Sequence, residues 1–73
     1  MNAFERVRVI MAEIFQVSEN KIPPDLEQED LENWDSLQHL NLMLALEQEF
    51  GVTLDVDDLA TLTSVPAILK YLE

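Results

Sequence analysis

The fifteen residues between Asp35 and Gly51, SLQHLNLMLALEQEF, are patterned for a helix with two apolar stripes. Projected at about 100° per residue, Leu42, Met43, Leu46 and Phe50 fall within roughly one quadrant, the stripe expected to face a core. Leu37, Leu40 and Leu44 form a second stripe roughly 90–150° away. Gln38, Asn41, Ala45 and Glu49 make a polar back. Asp35 is the expected N-cap, with Gln38 at the third helical position. Gly51, the only glycine, suits a left-handed C-cap. The chain has 73 residues and no cysteine, so no disulfide can staple it. A core of this size contributes only about 3–5 kcal/mol, and this helix must therefore find packing partners nearby.

The rest of the chain supplies them. Phe4, Val7, Met11 and Ile14 recur at spacings of three and four with Ile10 beside them, which predicts a first helix. Asn2 followed by Glu5 is a capping-box pattern at its start. Residues 17–35 hold Pro23, Pro24, Ser18, Asn20 and several acids, and predict a long loop. Val17, Ile22, Leu26, Leu31 and Trp34 would pin that loop to the core. Residues 57–62 suit a short turn of helix. Ser64 then caps a last helix carrying Val65, Ile68, Leu69 and Leu72, with Pro66 in its first turn. The expected fold is all-α: a small antiparallel four-helix bundle with a long loop between helices 1 and 2 and a short third helix. Residues 1–73 are expected to make one domain.

Charge narrows the function. Fifteen acids against four bases give a net charge of −11, and residues 25–58 hold eleven acids and no base. Nucleic acid phosphates and anionic lipid repel such a surface, whereas basic protein patches attract it. The longest uninterrupted apolar run, Leu42 to Leu46, is too short to insert in a membrane. With no cysteine and no basic-then-apolar leader pattern, a soluble monomer in the cytoplasm is expected.

One helix of a small bundle buries one stripe, so Leu37, Leu40 and Leu44 must be covered by the loop under Trp34 and Leu31 or meet a partner. Ser36 stands at the helix N-terminus between the stripes. Asp35 can already cap, which leaves the Ser36 hydroxyl available, and a helix N-terminus favours phosphate. Asp35, Ser36 and His39 do not make a hydrolase site. Asp35 has no evident way to orient His39, and neither a glycine elbow nor oxyanion donors follow. His39 projects beside Leu46 and Phe50, as a core-edge histidine would. No catalytic residue is expected. Metal binding is not expected either: an EF-hand loop opened at Asp55 would place Leu59 at its fifth position, Ala60 at its turn glycine and Pro66 at its final glutamate.

Asp35-Ser36-Leu37 opening an amphipathic helix, followed by Ala45-Leu46-Glu47-Gln48-Glu49-Phe50, resembles the acyl carrier proteins. The resemblance runs through the acidic loop, the Phe50-Gly51-Val52 helix exit and the closing Val65 to Tyr71 segment. It implies that Ser36, flanked by Asp35 and Leu37, carries 4′-phosphopantetheine, attached from coenzyme A by a phosphopantetheinyl transferase. The thiol of that group would hold acyl intermediates as thioesters and present them to fatty acid, lipid or polyketide biosynthetic enzymes. Leu37, Leu40, Asn41, Leu44, Glu47 and Gln48 would then meet acyl-loading and acyl-processing enzymes through their basic patches.

Gln38, Asn41 and Gln48 stand where the fatty-acid-synthesis members usually carry acids, and residues 36–46 hold no charge. Trp34 replaces the small residue common before the motif. These departures point toward a specialised lipid or polyketide carrier, or a peptidyl or aminoacyl carrier. A small acidic protein-binding module without a prosthetic group is the reading from a different class, and it leaves Ser36 with nothing but capping to do. The chain's own Met1 favours a free-standing carrier over a piece of a larger synthase.

Overall fold

In the computed structural model, residues 2–72 are described. Met1, on which the free-standing reading rests, and Glu73 lie outside them. Four α-helices and no strand occur among the described residues: α1 (Ala3–Phe15), α2 (Ser36–Phe50), α3 (Val56–Thr61) and α4 (Val65–Leu72). Their starts are set by local chemistry. Asn2 Oδ1 accepts Glu5 N–H at 2.9 Å, Asp35 Oδ1 accepts Gln38 N–H at 2.9 Å, and Ser64 Oγ accepts Ala67 N–H at 3.1 Å. Each side chain satisfies a donor that its helix cannot. Gly51 ends α2 in the left-handed region at φ 67°, where glycine pays no steric penalty.

The short third helix begins at Val56, one residue earlier than the expected 57–62. The reason is a reciprocal box: Asp58 N–H donates to Asp55 Oδ1 at 2.9 Å and Asp55 N–H to Asp58 Oδ2 at 3.1 Å. Asp55, not Val56, is therefore the cap.

The connection between α1 and α2 is more ordered than a plain loop. It contains two 3-10 turns, Glu19–Lys21 and Gln28–Asp30, the second closed by its own box between Glu27 and Asp30. An isolated antiparallel bridge pairs Glu27 with Ser64, with Gln28 N–H on Thr63 O at 2.9 Å and Val65 N–H on Leu26 O at 2.8 Å. Backbone groups that a loop would leave to water are thus tied to the start of α4.

The core draws on every part of the chain. Val7, Met11 and Phe15 of α1, Leu42, Met43 and Leu46 of α2, and Val65 and Ile68 of α4 are buried in one cluster. Ile22, Leu26 and Trp34 are buried, while Val17 and Leu31 are half-buried against the same core. Arg6 near the start of α1 bonds Glu49 near the end of α2, and Phe15 at the end of α1 stacks on Trp34 beside the start of α2. The two long helices are therefore antiparallel. Two core side chains differ from expectation. Phe15 takes the buried place at the end of α1 and leaves Ile14 half-buried. Phe50 is half-buried, with the Arg6 guanidinium 4.3 Å over its ring, because the core stripe runs out to solvent at the last turn of α2.

Candidate functional site

Ser36 is the first residue of α2 and is exposed. Asp35 makes the capping bond to Gln38 N–H, so the serine hydroxyl is not needed for it. Nor does the first turn of α2 contain an acid. The Asp35 carboxylate already lies on the positive end of this fifteen-residue helix, so what Ser36 offers a phosphodiester is an exposed hydroxyl at a helix N-terminus that capping does not use. These residues fit a phosphate ester on Ser36. The chain's other serines are placed differently: Ser64 is half-buried and occupied as the cap of α4, and Ser18 bonds Asn20.

The second stripe is open. Leu37 is 67% exposed, Leu40 46% and Leu44 51%. Trp34 and Leu31 turn into the core and do not cover them. Asn41 and Gln48 are exposed alongside, with Asn41 Nδ2 donating to Gln38 Oε1 at 2.9 Å. Glu47 differs from the face expected of it. It is half-buried, and its Oε2 accepts Leu54 N–H at 2.8 Å, so the carboxylate anchors the link to α3. The polar back is also not all free. Arg6 Nη2 reaches Glu49 Oε1 at 3.2 Å and Glu49 O at 3.1 Å, which turns that end toward α1.

His39 is buried and both ring nitrogens are engaged. The indole N–H of Trp34 donates to Nδ1 at 2.9 Å, and Nε2 lies 2.8 Å from Leu59 O. Indole nitrogen only donates and a carbonyl only accepts, so His39 is the neutral Nε2–H tautomer. Neither nitrogen is left to act as a base toward Ser36. The Asp35–Ser36–His39 hydrolase arrangement is excluded on this geometry.

Sequence reasoning missed two features. Val56 opens α3 at 78% exposure, an apolar side chain between Asp55 and Asp57 on the helix next to α2. Its position outside any helical stripe was the available signal. The Trp34–His39 pair carries no signal in spacing alone, since an indole five residues from an imidazole meets it only if the chain turns sharply between them. Among the described residues no helix is long and apolar enough to cross a membrane, and no group of three or more His, Cys, Asp or Glu side chains is placed to hold a metal ion.

Comparison with known proteins finds a matching family and several similar chains. The family model described as "Phosphopantetheine attachment site" matches residues 5–72. An acyl carrier protein of Thermosynechococcus vestitus is 36% identical over 69 residues, covering 93% of this chain and 84% of the relative. That of Helicobacter hepaticus is 31% identical over 74 residues, covering 100% and 96%, and that of Helicobacter pylori strain G27 is 30% identical over 73 residues, covering 100% and 94%.

Proposed function

The chain belongs to the acyl carrier protein family, and we propose that Ser36 is the residue on which it carries 4′-phosphopantetheine. Proteins of this family hold that group covalently, have no catalytic activity of their own, and are served by a phosphopantetheinyl transferase and by biosynthetic enzymes. When bound, the group supplies a thiol that holds acyl cargo as a thioester. The chain's own residues do the rest. Ser36 Oγ takes the group from coenzyme A as adenosine 3′,5′-bisphosphate leaves, and the hydroxyl proton passes to a base of the transferase. Asp35 keeps the first turn of α2 capped, so that the hydroxyl stays outward. Leu37, Leu40 and Leu44 offer an apolar strip to enzymes, and the acids of residues 25–58 steer basic patches toward it. In this reading residues 1–73 act as one monomeric carrier domain in the cytoplasm.

The observation that carries the assignment is an exposed hydroxyl at a helix N-terminus whose cap is already made by the neighbouring Asp35. Incubation with coenzyme A and a broad-specificity transferase should add one phosphopantetheine by intact mass, and Ser36→Ala should block it. An unchanged mass with several active transferases, or a modification mapped to Ser18 or Ser64, would overturn the assignment.

A more specific reading concerns the enzymes served. No charge lies between Ser36 and Leu46, and the exposed positions Asn41 and Gln48 are amides. A surface of this kind matches enzymes that grip by apolar contact and amide hydrogen bonding. That favours a specialised lipid, polyketide or aminoacyl pathway over general fatty acid synthesis. Loading assays with acyl-transferring and aminoacyl-adenylating enzymes separate these cargo classes.

A further inference from the structure

Trp34 and His39 flank the attachment segment, two residues before Ser36 and three after it. The indole donates to His39 Nδ1, and His39 Nε2–H donates to Leu59 O on α3. This relay has an anchor at each end. The Trp34 ring stacks on Phe15 of α1, with centroids 5.5 Å apart and planes 30° from parallel. Leu59 belongs to a helix of six residues, whose last carbonyls have no partner inside it. His39 satisfies one of them from the neighbouring helix.

We infer that Trp34 and His39 are positioning residues for Ser36, joining the end of α1, the first turn of α2 and α3 into one fixed surface. The inference rests on Ser36 being the attachment residue. A helix of six residues is marginal alone, and the first turn of any helix frays readily. The relay holds both, on either side of the hydroxyl that an enzyme must align. It therefore sets the orientation of Ser36 relative to exposed Leu37, Leu40 and Val56. Group transfer depends steeply on such alignment, so loosening the relay lowers the rate of the bound complex more than its formation. The bonds are also mutually dependent: His39 can accept from Trp34 only in the tautomer that donates to Leu59 O.

The chain has one tryptophan and one histidine, so each gives a single spectroscopic signal. The test uses coenzyme A, a broad-specificity transferase and the whole chain, at a temperature where circular dichroism shows each variant folded. Trp34→Phe keeps a ring against Phe15 and drops the indole N–H. His39→Leu removes both bonds, and His39→Asn keeps an acceptor for the indole. The expected result is a fall of about tenfold in kcat for Ser36 modification in Trp34→Phe and His39→Leu, with KM for the carrier within about threefold. His39→Asn should recover part of the loss. The Trp34 indole N–H should exchange slowly with solvent in the wild type, fast in His39→Leu, and at an intermediate rate in His39→Asn.

Failure of the wild type to be modified at Ser36 overturns the attachment assignment and this inference with it. If the wild type is modified and kcat of folded Trp34→Phe stays within about twofold, the inference alone is overturned. A raised KM with unchanged kcat overturns it too, by placing these residues in docking. Trp34→Phe decides the matter if His39→Leu fails to fold.

Discussion

Glu47 Oε2 accepts the backbone N–H of Leu54 at 2.8 Å, so a half-buried carboxylate of α2 is also the clasp of the link to α3. Charge and clasp reside in the same atoms, and substitutions can separate them. Glu47→Gln keeps an oxygen to accept from Leu54 and loses only the charge. Glu47→Lys loses both. Leu54 is half-buried, so its unpaired N–H should cost about 1–3 kcal/mol in Glu47→Lys, against about 0.5 kcal/mol or less in Glu47→Gln. Urea unfolding of the two variants checks this. Equal stabilities would mean that water replaces the clasp without loss.

The two stripes of α2 should separate stability from association. Leu46 is fully buried, and Leu46→Ala should cost about 2–5 kcal/mol, comparable to the whole stability of so small a core. Leu37→Ala and Leu40→Ala should stay within about 0.5 kcal/mol while raising KM for modification. Phe50→Ala should fall between, since its ring is half-buried under Arg6. Thermal unfolding and transferase kinetics on the same variants give both quantities.

Residues 25–58 hold eleven acids and no base, and Arg6–Glu49 at 3.2 Å is the ion pair among the described residues. The remaining carboxylates repel one another. Added salt or a millimolar divalent cation should therefore raise the melting temperature, because screening weakens the repulsion more than it weakens one exposed pair. A melting temperature indifferent to ionic strength would show that the acids lie too far apart to interact.

Tyr71 gives an alkaline prediction. Partial desolvation, and then the carboxylates of Asp58, Asp55 and Glu47, push its hydroxyl above the ordinary tyrosine value, while the hydroxyl donates to Thr53 O at 3.3 Å. The proton is held more tightly in the folded chain than in the unfolded one. The resulting stability is complete below the unfolded value of about 10 and is lost as pH rises through the higher folded value. Titration of the single tyrosine by ultraviolet absorbance should show the raised midpoint, and Tyr71→Phe should flatten this part of the stability curve. A midpoint at or below that of a free tyrosine would contradict it.

Much of this protein is decided within four or five residues along the chain. The helix starts at Asn2, Asp35 and Ser64, the stop at Gly51 and the two stripes of α2 all depend on neighbours a turn away, and each was legible from spacing and side-chain chemistry. Ser36 was legible for the same reason: its availability follows from an adjacent cap. What remained needed the chain to come back on itself. Phe15 rather than Ile14 is buried because Trp34 arrives to stack on it. Glu47 is spent on Leu54, Glu27 bridges Ser64, and His39 reaches Leu59 twenty residues on. A hydrogen bond needs its partners within about 3 Å, and hydrophobic periodicity says which face of an element is buried but not which donor will meet which acceptor across it. The helices and the serine are thus properties of local sequence, whereas the setting that holds the serine in place belongs to the tertiary structure.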